Sequence, residues 1–150
     1  MKRKILLIFV LLLWSAVLFF FSGQSGLESG DLSLSLAKWL IERIPEIGMK
    51  PRELEPILRK LAHVMVFALE GFLMYCTVSV FRMGKRGNWL IAAAICALIG
   101  GLNEVHQLYA VDRSCQFTDV LIDSAGAILG VAFAAFCGWM LHKLDRRLRV

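Results

Sequence analysis

The sequence predicts an all-α integral membrane protein with four transmembrane helices, both termini cytoplasmic, and an amphipathic extracytoplasmic segment between the first two spans. Three observations carry this. Four stretches are apolar for about the 17–25 residues a helix needs to cross a bilayer. Short basic runs flank those stretches on one side only. The longest loop keeps apolar residues at helical spacing. Composition agrees: 58% of the 150 residues are hydrophobic and mean hydropathy is +0.66, against roughly 45–50% apolar usage in soluble domains. The whole chain, 1–150, reads as one membrane domain without internal repeats.

The spans fall at about residues 5–21, 57–81, 89–109 and 119–141. The first is uninterrupted and follows Met-Lys-Arg-Lys. It is too long for the usual apolar core of a cleaved leader, and Ser22-Gly23-Gln24-Ser25 lacks the Ala-x-Ala cleavage pattern. The second carries Arg59, Lys60, His63 and Glu70. The third ends in Asn103, Glu104, His106 and Gln107, and the fourth begins with Asp119 and Asp123.

Lys and Arg in short flanks set orientation. Lys2, Arg3 and Lys4 precede span one; Arg82, Lys85 and Arg86 fill the turn between spans two and three; Lys143, Arg146, Arg147 and Arg149 follow span four. Only Asp145 opposes them. Residues 22–56 instead hold four basic and six acidic residues. That loop repeats Leu32, Leu36, Leu40, Ile44 and Ile47 at helical spacing, with Asp31 as expected N-cap and Pro45 as terminator. The segment either lies on the outer membrane surface or packs over the bundle mouth. Pro56 suits the first helical position of span two.

The net charge of +5 is spent in these flanks and forms no basic face with interleaved aromatics, so no nucleic-acid partner is expected. Cys76, Cys96, Cys115 and Cys137 form no C-x-x-C pair and read as packing residues. No P-loop, H-E-x-x-H or Ser nucleophile elbow is present, and neither cofactor nor metal is expected.

Ionisable groups at membrane depth are costly and mark functional sites by default. At 100° per residue, Lys60, His63, Phe67, Glu70 and Met74 share an arc of about 80° on span two. Asn103, Glu104 and Gln107 share a face of span three. Asp119 and Asp123 sit one turn apart above Gly126-x-x-x-Gly130, a small-residue stripe that lets membrane helices approach closely; Ala134 and Gly138 extend it. Topology brings all of these to one level near the outer face, with Arg113 in the connection beside them. Glu70 alone lies deep, about 15 Å below Lys60. His106 and His142 fall outside the cluster.

Arg59-Lys60-Leu61-Ala62-His63, then Asn103-Glu104-x-x-Gln107, then Arg113-x5-Asp119-x3-Asp123-x2-Gly126-x3-Gly130, together with Phe21-Ser22-Gly23-Gln24 after span one, resemble the VanZ-like family of bacterial membrane proteins. The resemblance implies a multi-pass protein of the bacterial cytoplasmic membrane, in a family named for an association with low-level resistance to the lipoglycopeptide teicoplanin. It implies no reaction. Asp123 stands where the family commonly has Asn, which adds a carboxylate.

Four readings of the cluster follow. Lys60 and Arg113 could neutralise two of Glu104, Asp119 and Asp123 in a network that only locks the bundle, although buried ion pairs are weak stabilisers. The cations and His63 could hold the phosphate or carboxylate of a lipid-linked, lipidated or lipoglycopeptide ligand at the outer leaflet; this is the leading reading of the four. His63 with Glu104 or Asp119 could act as acid and base, with Asp123 as nucleophile or Glu104, Asp119 and Asp123 on Mg²⁺. Glu70 could pass a proton inward in a transporter, which four spans would complete only as an oligomer.

Overall fold

In the computed structural model the described residues are 1–81, 84–113 and 116–148, without the side chain of Lys85. Arg82, Cys115, Arg149 and the Lys85 side chain lie outside them. The described chain forms five α-helices and a 3₁₀ turn, with no strand: α1 (Lys2–Ser22), α2 (Gly26–Arg43), the turn Pro45–Ile47, α3 (Pro51–Ser79), α4 (Lys85–Gln107) and α5 (Phe117–Leu148). Four of these, α1, α3, α4 and α5, are long and apolar enough to cross a membrane. The chain is a multi-pass membrane protein.

α2 starts earlier than Asp31. Ser25 is its N-cap, accepting from the Glu28 amide at 3.2 Å while Glu28 accepts from the Ser25 amide at 3.0 Å. This reciprocal box satisfies two donors that the first turn would otherwise leave unpaired. α3 likewise begins before Pro56. Pro51 takes the first position, where a missing N–H costs nothing, and Glu53 accepts from the Lys50 amide at 3.1 Å. Pro56 therefore lies inside α3. Packing of this added turn and a half against α2 offsets the lost hydrogen bond: Leu54 and Ala37 are buried, and Ser33 Oγ donates to Glu55 Oε1 at 3.0 Å. α2 thus packs on α3 over the bundle mouth.

α3 is the hub, packed against α1, α2, α4 and α5, while α1 and α5 share no contact among the described residues. The α3–α5 seam is the tightest. A Cβ on Gly71 would collide with the Ala127 carbonyl, and one on Gly130 with the Ala68 carbonyl; at Gly126 it would lie 2.6 Å from the Val64 carbonyl. Gly138, expected to continue this stripe, meets nothing within 4 Å; it lines a groove toward α4 and leaves the seam.

α1 is held more loosely. Trp14 Nε1 donates to the Val66 carbonyl at 3.3 Å, and Gln107 Nε2 donates to Ser22 Oγ at 3.0 Å. Lys4 Nζ lies 4.8 Å from the Phe81 ring centroid. Leu6, Phe9, Leu12, Leu13 and Phe20 face outward, as expected of a helix bathed in lipid. α5, at 32 residues, spans about 48 Å. It overruns a hydrocarbon core of roughly 30 Å, so its last turns carry Lys143, Arg146 and Arg147 beyond the apolar layer. The bundle therefore has a termini end, with the basic flanks, and a loop end, with α2 and residues 108–116.

Candidate functional site

The polar residues gather at the loop end, and close helix packing places them. Where α5 presses Gly126 onto the Val64 backbone, Asp123, one turn earlier, comes alongside His63. His63 Nδ1 and Asp123 Oδ1 are 3.0 Å apart. Asp123 is fully buried, whereas 23% of the His63 side chain remains exposed. Glu104, also buried, accepts from the Gln116 amide at 3.1 Å through Oε2 and so anchors the connection before α5. Asn103 and Gln107 are buried beside it.

That connection is fixed at its other end by α2. The Gly26 amide donates to the Val111 carbonyl at 2.9 Å, and a Cβ on Gly26 would collide with the Asp112 carbonyl. Asp112 itself is left-handed, with φ 58°, a region that Asp tolerates better than most residues. The result presses residues 111–113 onto the first turn of α2 and puts Arg113 over the site. Burial lowers the Arg113 pKa from its usual value, and the group stays cationic. Its Nε is buried without a hydrogen-bond partner, as are Asn103 Oδ1, Glu104 Oε1 and Asp123 Oδ2.

Two adjoining cavities open here. One, about 580 Å³, lies between α1, α2 and α3 and is apolar over most of its wall, with Val17, Leu36, Ala62 and Val66 among its lining. The other, about 280 Å³, is polar and includes Lys60, Gln107, Asp119 and Gln116. Arg59, His63 and Arg113 line both. Asp123 and Glu104 line neither. They stand behind the wall, one holding the imidazole and the other holding the loop that bears Arg113.

This arrangement redistributes the expected roles. The buried carboxylates take their partners from His63 and a backbone amide, where the reading of a locked bundle gave that role to Lys60 and Arg113. Lys60 is exposed and reaches the site only at the polar cavity. Asp123 pairs with His63 through Oδ1 and lines neither cavity, so it does not face the space a ligand would occupy. Among the described residues, no three His, Cys, Asp or Glu side chains are placed to hold a metal ion, so Glu104, Asp119 and Asp123 do not form a Mg²⁺ cage. Glu70 is apart from the cluster, buried between α3 and α1, with Ser15 Oγ 3.1 and 3.3 Å from its two oxygens.

Arg59 is the site residue that the sequence reading left out. It lies 3.5 Å from Glu55 and lines both cavities. The signal was available: four residues before His63, it is about 40° from it around α3, closer than the roughly 60° separating Lys60.

The family model described as VanZ/LLP1 matches residues 7–138, and the chain belongs to that family. No curated protein and no solved structure matches it.

Proposed function

We propose that this VanZ/LLP1 member binds an anionic amphiphile of the cell envelope, a lipid or a lipid-linked or lipidated molecule, at the leaflet facing its loop end. One observation carries the reading: an apolar cavity and a polar cavity adjoin, and the residues they share are Arg59, His63 and Arg113. An acyl chain fits the first. The volume is in the range that ligand pockets of drug-sized molecules occupy. A phosphate or carboxylate fits the second, where Arg guanidinium groups offer paired donors and the buried Arg113 Nε has donor capacity unspent. By the distribution of basic flanks, this end is extracytoplasmic. A lipoglycopeptide carries an acyl chain and meets the same apolar requirement, which links the site to the teicoplanin association that the family resemblance implies.

The test is photo-crosslinking in reconstituted membranes, with an alkyl phosphate bearing a diazirine on its chain. Labelling is expected at Leu36, Ala62 and Val66, and to fall about tenfold when Arg59 and Arg113 are both replaced by Ala. Labelling spread evenly over the outward-facing residues of α1 and α5, and unchanged in that variant, would overturn the proposal. For resistance, expression should raise tolerance to teicoplanin and leave a glycopeptide without an acyl chain unaffected.

A second reading has its own observation. The His63–Asp123 pair is an imidazole oriented by a buried carboxylate, with the rest of the ring at the cavities, the geometry of a general base. Hydrolysis or transfer at a lipid headgroup would use it on a bound water or hydroxyl. Turnover of a labelled envelope lipid that disappears in His63→Gln would establish this; binding without turnover leaves the first reading.

A further inference from the structure

The termini end holds a third cavity, of about 690 Å³, that the site above does not involve. It is a groove between the start of α4 and the end of α5, with Tyr75 of α3 in its wall. These two helices run antiparallel, so Arg86 and His142 meet at the same end. Leu90 lies about 6 Å and Ala135 about 10 Å further into the bundle. The groove is thus basic at its mouth and apolar inside. Trp89 and Trp139 flank it, both partly exposed, at the depth where amphipathic rings favour the boundary between headgroups and chains. Lys143 Nζ lies 5.1 Å from the Trp139 ring centroid and adds a third basic group beside the mouth. Gly138 keeps the groove open, since a Cβ there would meet nothing within 4 Å.

We infer that this groove is a binding site for an anionic phospholipid of the leaflet facing the basic flanks. Its phosphate would lie among Arg86, His142 and Lys143, and its chain along Leu90 and Ala135. Charge decides the occupant. Among the described residues the groove wall contributes no carboxylate, and basic pockets between membrane helices on this side select negative headgroups. The inference is independent of the loop-end site, which faces the other leaflet.

The experiment reconstitutes the full chain in phosphatidylcholine vesicles with a minor fraction of phosphatidylglycerol, and places bromine on the chains of one lipid or the other. The readout is quenching of Trp139, obtained as the difference between the native protein and Trp139→Phe. At equal mole fraction, brominated phosphatidylglycerol should quench several-fold more strongly than brominated phosphatidylcholine. Each of Arg86→Ala and Lys143→Ala should lower that preference about fivefold or abolish it. Gly138→Leu should fill the groove and remove the preference without disturbing the fold, because the added side chain has free space and Leu favours a helix over Gly. Circular dichroism checks that each variant remains folded. Equal quenching by the two lipids in the native protein would overturn the inference, as would a preference that survives Gly138→Leu. Absence of quenching by either lipid, with Gly138→Cys forming a disulfide between copies, would assign the groove to self-association instead.

Discussion

On one side of α3, Val64, Ala68 and Gly71 meet α5 backbone to backbone; on the other, about 170° round the helix, Arg59, Ala62 and Val66 face α1 and α2 across a cavity. The first side has no room for a methyl group. The second leaves about 580 Å³ unfilled and is spanned by single hydrogen bonds such as Trp14 to Val66 and Ser15 to Glu70. Membrane helices have little hydrophobic drive to associate, so close van der Waals packing must supply it. Concentrating that packing in the α3–α5 seam frees the opposite face to line a cavity. His63 sits between the two: its Nδ1 belongs to the rigid seam through Asp123, and the rest of its ring belongs to the cavities.

This contrast is breakable, most severely at the seam. Gly130→Leu drives a side chain into the Ala68 carbonyl and should lower stability by about 3 kcal/mol or prevent folding, read as the thermal midpoint in detergent. Gly101→Leu, whose Cβ meets nothing within 4 Å, should leave the midpoint nearly unchanged. If both variants melt alike, the seam is not the scaffold.

A smaller loss is expected at the junction. Asp123→Ala removes a buried charge-assisted hydrogen bond and should cost about 2 kcal/mol, together with loss of alkyl phosphate labelling as His63 loses its orientation. Asp123→Asn keeps a hydrogen-bonding group and should retain most of the stability. That outcome would show that the added carboxylate serves the imidazole's electrostatics more than the packing.

On the cavity side the expected effect is on binding alone. Ala62→Phe projects into the apolar cavity and should change stability by less than about 0.5 kcal/mol. It should lower affinity for a long-chain alkyl phosphate about tenfold, and hardly alter that for a short-chain one, since only the long chain needs the lost volume. Equal losses for both would place the chain elsewhere.

The mildest test lies furthest from the seam. Gly30 sits inside α2 with nothing within 4 Å of a Cβ, and Gly30→Ala should raise stability by about 0.5–1 kcal/mol by helix propensity. It checks that α2 is a folded helix in the absence of any ligand.

Four spans, their order and the level of the polar cluster were legible in the sequence, because membrane thickness fixes span length and a helix repeats every 3.6 residues. Gly126 and Gly130 could be read as a seam for the same reason. The partner of that seam could not: only the assembled bundle shows that α5 lies on Val64, Ala68 and Gly71, which sets α3 in rotation. The face of α3 that lines the apolar cavity is centred about 70° from the arc of Lys60, His63 and Glu70; it shares His63 and Phe67 with that arc and adds Arg59. Early starts of α2 and α3 had a similar cause. Ser25, Glu28, Pro51 and Glu53 were visible as capping residues, but apolar periodicity pointed inward from them, and packing of α2 on α3 decided where each helix begins.

By itself, then, the sequence determined that this chain crosses a membrane four times, keeps its basic flanks at the end with its termini and brings its polar cluster to the opposite end. Those are consequences of local hydropathy, charge bias and helical period. Which carboxylate holds His63, which cations face a cavity and which carboxylates stand behind it were decided by tertiary structure. The physical reason is that these depend on distances between helices, set here by three glycines, and no property of a single helix contains them.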